Sequence, residues 1–223
     1  GVRARNKEQM FALDLLMDPT IEVVSLVGKA GSGKTLMAIA AGLEQVLSNL
    51  NIKSRLNDDT YCRTPYKKLV VSRPVMPMGK DIGFLPGSLE EKMAPWLAPV
   101  QDNLKFLTGD DQTTLDDYME RGQIEIEALT YIRGRSIANA FIVIDEAQNL
   151  TAHEIKTILT RVGEGTKIVL TGDVEQIDNI YINEMSSGLT HAVEKMKHND
   201  ITGHITLKKG ERSRVATLAA KIL

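Results

Sequence analysis

Short apolar runs alternate with longer segments of helical period along this chain. The runs are Glu22–Val27, Lys68–Ser72, Ile124–Leu129, Phe141–Asp145, Lys167–Gly172 and His204–Lys208, and each is predicted as a strand. They are rich in Val, Ile and Leu and barely alternate in polarity, which is the pattern of strands covered on both faces in a parallel sheet. Leu36, Ile39, Ala40, Leu43 and Leu47 recur at the spacing of one helix face, as do Val215, Leu218, Ala219 and Ile222 near the end. Ser88 with Glu91, and Thr151 with Glu154, have capping-box spacing and predict two further helix starts. The stripe Met93, Trp96, Leu97, Val100, Leu104 and Leu107 reads as core-facing, with Pro95 and Pro99 expected to kink or end its first part. Strands alternating with helices predict an α/β fold, a mainly parallel sheet flanked by helices on both faces.

Two stretches break this rhythm. Asn49–Lys67 is polar and carries Asn57-Asp58-Asp59, Cys62 and Pro65, so it reads as a surface insertion at about residues 50–66. Pro74–Gly87 is rich in Pro, Gly and Met and follows a strand, where ligands bind in open α/β sheets. The length, 223 residues, suits one domain over 1–223. Hydrophobic residues at 43% and charged residues at 25% are enough to build a core.

Lys plus Arg number 27 against 29 for Asp plus Glu, a net charge of −2. Bulk coating of a polyanion is therefore not expected, while a local basic groove stays open. The single cysteine, Cys62, excludes an intrachain disulfide and a thiolate zinc cage and fits a reducing, cytoplasmic setting. His153, His191, His198 and His204 lack metal-ligand spacing. No uncharged stretch approaches the roughly 20 residues that span a bilayer. No signal peptide is visible at the start, and no membrane association is expected.

The chemistry begins at Gly28-Lys29-Ala30-Gly31-Ser32-Gly33-Lys34-Thr35, a phosphate-binding loop between an apolar strand and a helix. Its glycines let backbone N–H groups turn toward phosphate oxygens, and the helix N-terminus adds a positive dipole. Lys34 would reach the β- and γ-phosphates, and the Thr35 hydroxyl would hold Mg²⁺. Phe141-Ile142-Val143-Ile144 then delivers Asp145 to a strand's carboxyl end as a second Mg²⁺ contact. Adjacent Glu146 is set to polarise a water for attack on the γ-phosphate. In Gly172-Asp173-Val174-Glu175-Gln176 the glutamine would sense the γ-phosphate, with a tight turn as the rival reading. In a parallel sheet this strand should neighbour the one that ends at Asp145.

These motifs resemble superfamily-1 helicase cores, and more closely the PhoH family of ATPases. The resemblance rests on Ser72-Arg73-Pro74, Gly83-Phe84-Leu85-Pro86-Gly87, Tyr131-Ile132-Arg133-Gly134-Arg135 and Asp145-Glu146-Ala147-Gln148-Asn149, and runs over nearly the whole chain. It implies a RecA-like P-loop fold and Mg²⁺-dependent ATP hydrolysis coupled to RNA binding or unwinding. The alternative is a nucleotide-gated RNA- or protein-binding ring module with slow turnover and no autonomous helicase activity. Lys209-Gly210-Glu211-Arg212-Ser213 resembles the form fused to an amino-terminal PIN nuclease domain, so a PIN domain in the full-length protein is an expectation. Asn6-Lys7-Glu8-Gln9 resembles a Q-motif, in which Gln9 would read the adenine edge; a polar amino-terminal helix is the other reading. Arg212 resembles the arginine that neutralises transition-state charge, against a solvated basic helix start. The resemblance also implies a homo-oligomer, a hexameric ring, with Arg133 or Arg135 reaching a neighbour or RNA phosphates, against surface salt bridges as the other reading. Arg73 is expected near nucleic acid or in a surface ion pair. A P-loop kinase or GTPase is disfavoured because no N-K-x-D guanine-reading motif occurs.

Overall fold

The computed structural model describes residues 2–53, 66–74, 89–132 and 136–210. All six predicted strands form: β1 (Val23–Gly28), β2 (Lys68–Arg73), β3 (Ile124–Ala128), β4 (Ala140–Ile144), β5 (Lys167–Gly172) and β6 (Thr202–Leu207). They make one sheet of order β3-β2-β4-β5-β1-β6, parallel at every pairing. The β4 and β5 strands are direct neighbours, with Ile144 opposite Leu170. This register brings the strand that ends before Asp145 beside the one that ends before Asp173.

Successive strand residues enter opposite faces, and each face is covered. On one side Val24, Leu26, Leu69, Val71, Phe141, Val143 and Val169 pack under α1 (Lys7–Met17), α2 (Lys34–Lys53), α3 (Leu89–Leu107) and α4 (Gln112–Glu120). On the other side Val70, Ile142, Ile144, Ile168 and Leu170 pack under α5 (Leu129–Ile132), α6 (Ala152–Leu159) and α7 (Gly188–Met196). Burial on both faces explains the continuous apolar runs, because an exposed face would have required alternation.

Local signals account for several helix starts. The Asn6 side chain caps α1 by accepting from Gln9 N–H at 2.9 Å. The predicted capping box at α6 is complete: Thr151 Oγ1 accepts from Glu154 N–H, and the Glu154 carboxylate accepts from Thr151 N–H at 2.9 Å. The α3 helix runs through both Pro95 and Pro99 without ending there. The carbonyl that faces Pro99 four residues back is that of Pro95, so both defects fall on one helix face and the rest of the ladder is spared. Val100 and Leu104 of its predicted stripe are fully buried.

The expected surface insertion is narrower than its predicted ends. The α2 helix extends to Lys53, and Tyr66 is buried, its ring meeting Phe141 edge-on at 5.6 Å. An aromatic at the end of a polar stretch marks the chain's return to the core. The middle of that stretch with Cys62, the Ser88 cap, the loop after Pro74, Arg133, Arg135, Arg212 and the segment Val215–Ile222 lie outside the described residues. Among the described residues no helix is long and apolar enough to cross a membrane.

Candidate nucleotide-binding site

The carboxyl ends of β1, β4 and β5 converge on one cavity of about 250 Å³. The loop after β1 needs left-handed backbone at Gly31 (φ 78°) and Gly33 (φ 86°), which side chains disfavour. Lys34 opens α2 and is buried, with Nζ donating to the Gly28 carbonyl at 2.6 Å and the Lys29 carbonyl at 3.1 Å. Thr35 follows, and its Oγ1 donates to Asp145 Oδ1 at 2.7 Å. The same carboxylate oxygen accepts from Thr171 Oγ1 at 2.6 Å. A buried carboxylate at the end of β4 thus ties the loop after β1 to the end of β5.

Glu146 sits in the left-handed region (φ 54°, ψ 37°), which turns the chain sharply out of β4. Its carboxylate is held on two sides. Oε1 meets the Arg73 guanidinium at 3.2 Å, and Oε2 accepts from Gln148 Nε2 at 2.6 Å. Gln148 is fully buried; its Nε2 also donates to the Gln176 carbonyl at 2.9 Å, and its Oε1 accepts from Asp173 N–H at 3.1 Å. One amide therefore joins the Glu146 carboxylate to the loop after β5. Gly172 makes room for it: a Cβ there would stand 2.6 Å from Gln148 Oε1 and 2.5 Å from Leu189 Cδ2.

The Asp173 carboxylate reaches into the phosphate loop, where Oδ2 accepts from Ala30 N–H at 2.7 Å. A surface pair, Lys29 with Glu175 at 3.0 Å, runs alongside and adds little in water. Gln176 is exposed and lines the cavity with Lys34, Thr35, Asp145, Glu146 and Asn103. On the other side of the loop Gln9 is buried, its Nε2 donating to the Ser32 carbonyl at 3.0 Å and its Oε1 accepting from Arg5 N–H at 2.8 Å. Next to it lies a second cavity of about 450 Å³, lined by Arg3, Arg5, Gln9, Gly31, Leu36 and Phe106. A larger hollow of about 820 Å³ between α1, α2 and α4 has a mixed polar and apolar lining and holds none of these groups.

Of the predicted site residues, the structure gathers Ala30, Gly31, Gly33, Lys34, Thr35, Asp145, Glu146 and Gln176 around one cavity, with Gly28, Lys29 and Ser32 in the same loop but outside its lining and Gln9 against the loop's flank. Arg212 lies outside the described residues. Sequence reasoning did not single out Thr171, Asp173 or Gln148, although each lies in or beside a motif already quoted; partners distant in sequence give them their place. Among the described residues no three or more His, Cys, Asp or Glu gather as a metal cage.

Comparison with known proteins places this geometry. The PhoH-like protein family matches residues 1–223 in full. The chain belongs to the PhoH-like protein family. This PhoH-like chain is 53% identical over 225 residues to Protein PhoH2 of Bacillus subtilis, covering 100% of this chain and 48% of that protein. It is 32% identical over 215 residues to Protein PhoH of Escherichia coli, covering 96% and 55%. It thus spans about half the length of the curated relatives it matches. Among solved structures, the large terminase of a thermophilic bacteriophage aligns over 98% of this chain and 50% of its own, with a TM-score of 0.53 at 11% identity. That likeness is one of fold alone, and the fold is the RecA-like α/β fold of P-loop nucleotide-binding proteins.

Proposed function

We propose that this PhoH-like chain hydrolyses ATP with Mg²⁺ and couples turnover to RNA. The observation that carries the reading is the 2.7 Å bond from Thr35 of the phosphate loop to Asp145, with Glu146 next in the chain and on the same cavity. Hydroxyl and carboxylate oxygens are hard donors that suit Mg²⁺, an ion that takes few protein ligands and completes its shell with phosphate and water. Bound there through Thr35 and Asp145, Mg²⁺ would neutralise charge on the β- and γ-phosphates. Lys34 would exchange its two loop carbonyls for phosphate oxygens, and the loop amides would cradle them, Ala30 N–H leaving Asp173 and Ser32 N–H leaving the Lys29 carbonyl to do so.

Glu146 would orient the attacking water and accept its proton, while Gln176 reports the γ-phosphate from the rim. Gln9 uses one N–H and one lone pair on the loop and Arg5; the second of each remains for an adenine edge. Arg212 is proposed to neutralise developing charge. The wider setting is a cytoplasmic homo-oligomer, a hexameric ring, with a PIN nuclease domain in the full-length protein.

A second reading is a nucleotide-gated binding module with slow turnover. The specific observation in its favour is that both Glu146 carboxylate oxygens already hold protein donors. One assay separates the two: ATP hydrolysis with Mg²⁺, with and without single-stranded RNA, for the wild type and Glu146→Gln. RNA-stimulated turnover, lost by a factor of about 10²–10⁴ in the variant while ATP still binds, is expected for the coupled ATPase. Slow turnover that RNA leaves unchanged would favour the gated module.

A further inference from the structure

The Arg73–Glu146 pair joins two places that the proposed reaction keeps apart. Arg73 closes β2 at the sheet's carboxyl edge, between buried Ser72 and Pro74, and its side chain is 23% exposed. The Ser72 carbonyl accepts from Asp145 N–H at 2.8 Å, so the residues preceding the two are bonded through their backbones. Glu146 lines the phosphate cavity, whereas Arg73 is absent from the described residues around it. The guanidinium therefore approaches the carboxylate from outside the phosphate site. Gln148 secures the other oxygen at 2.6 Å and is itself fixed by Asp173 and Gln176. Of the two donors on Glu146, Gln148 is buried and locked, and Arg73 is charged and reachable from solvent.

We propose that Arg73 is a positioning residue that restrains Glu146 at rest and releases it when an RNA phosphate takes the guanidinium. While Arg73 is engaged, Glu146 Oε1 is oriented by the guanidinium, and once released it can turn to accept from a water. A phosphodiester competes well for that cation, because a guanidinium binds phosphate oxygens in a bidentate fork as readily as carboxylate. The pair is partly exposed, Arg73 at 23% and Glu146 at 32%, so water reaches it and the guanidinium can exchange partners. Occupation of Arg73 by RNA and its occupation by Glu146 then exclude one another. By linkage each must weaken the other to the same degree. The inference rests on the RNA-coupled reading above and supplies its coupling.

The test uses the whole chain without nucleotide, titrated into a fluorescein-labelled oligouridylate and followed by anisotropy over a range of salt. Arg73→Ala is expected to weaken binding and to flatten the salt slope by about 0.7, the share of one phosphate on a single strand. Glu146→Gln is expected to tighten binding by about two- to fivefold, the worth of a partly exposed ion pair. That gain should vanish in the double variant, and Arg73→Lys should restore part of the affinity. In ATP turnover, Arg73→Ala should raise the basal rate and lose stimulation by the oligonucleotide.

Weakening by Arg73→Ala with no gain from Glu146→Gln would make Arg73 an ordinary phosphate contact and overturn the switch alone. A lowered basal rate with the stimulation ratio kept would make Arg73 a prop for Glu146 and overturn it too. Absence of RNA binding by every variant would bring down the RNA-coupled reading and this inference with it.

Discussion

Glu146 is held by bonds that its own motif does not reveal. Gln148 lies two residues on and is fully buried, and it connects the Glu146 carboxylate with the backbone at Asp173 and Gln176. Gln148→Leu keeps the volume and removes every one of those bonds. We expect a stability loss of about 1–3 kcal/mol, the cost of leaving buried polar groups without partners. Turnover should fall by about one to two orders of magnitude, part of the 10²–10⁴ that a general base contributes. Nucleotide affinity should change little, because Gln148 is not among the described residues lining the phosphate cavity. Urea unfolding, single-turnover hydrolysis and binding of a fluorescent ATP analogue check the three parts separately. Gly172→Ala should act in the same direction, since its Cβ would stand 2.6 Å from Gln148 Oε1.

At the scale of elements, the sheet carries its chemistry on loops at one edge and its stability on packed helices. The α6 helix illustrates the second role. Thr151 and Glu154 cap each other reciprocally, and Ile155 and Ile158 bury its apolar side. Thr151→Ala should lower stability by about 1 kcal/mol, the ordinary worth of an N-cap, read as an earlier urea midpoint with an unchanged slope. A changed slope would instead mean that the compactness of one end state had altered. A side chain of β5 reaches the end of α1. Lys167 is fully buried and its Nζ donates to the carbonyls of Leu15, Leu16 and Asp18 at 3.3, 2.8 and 2.6 Å, closing the end of α1. A lysine inside an otherwise apolar run is therefore a C-terminal helix cap supplied from a strand.

Over the whole molecule that buried lysine gives stability a distinctive alkaline profile. Burial pulls its pKa from 10.5 down to about 8, against the attraction of the Asp18 carboxylate. Between those values the unfolded chain holds more protons than the folded one, so stability rises with pH across that window. Burial pushes the Tyr66 hydroxyl from 10.0 up to about 12, with Glu22 adding to the rise. Between those values the folded state keeps a proton that the unfolded chain has released, so stability falls as pH climbs. The two effects together predict a maximum near pH 10, measurable as the urea midpoint from neutral pH upward. Lys167→Met should flatten the rise between about 8 and 10, while Tyr66→Phe should remove the fall above it. A rise that survived in Lys167→Met would assign it to another group.

The sequence by itself determined what contiguous residues and periodicity encode. All six strands were legible: in the inner strands β1, β2, β4 and β5 burial on both faces leaves runs of Val, Ile and Leu, while the edge strands β3 and β6 keep polar residues between their apolar ones. The phosphate loop was legible because its chemistry is local: glycines, a lysine and a hydroxyl in eight consecutive residues between strand and helix. Tertiary structure decided the partners. Asp173 meets Ala30 across 143 positions, Glu146 meets Arg73 across 73, and Lys167 caps α1 across 151. At Pro95 and Pro99 local rules allow either a kink or an end, and the helix continues past both, with Val100 and Leu104 fully buried in the core. Contacts of that range follow from strand order, which places β5 between β1 and β4 and so brings three loop ends to one cavity. A linear pattern carries a residue's preference for strand, helix or turn, but its hydrogen-bond partner is set only when the sheet assembles.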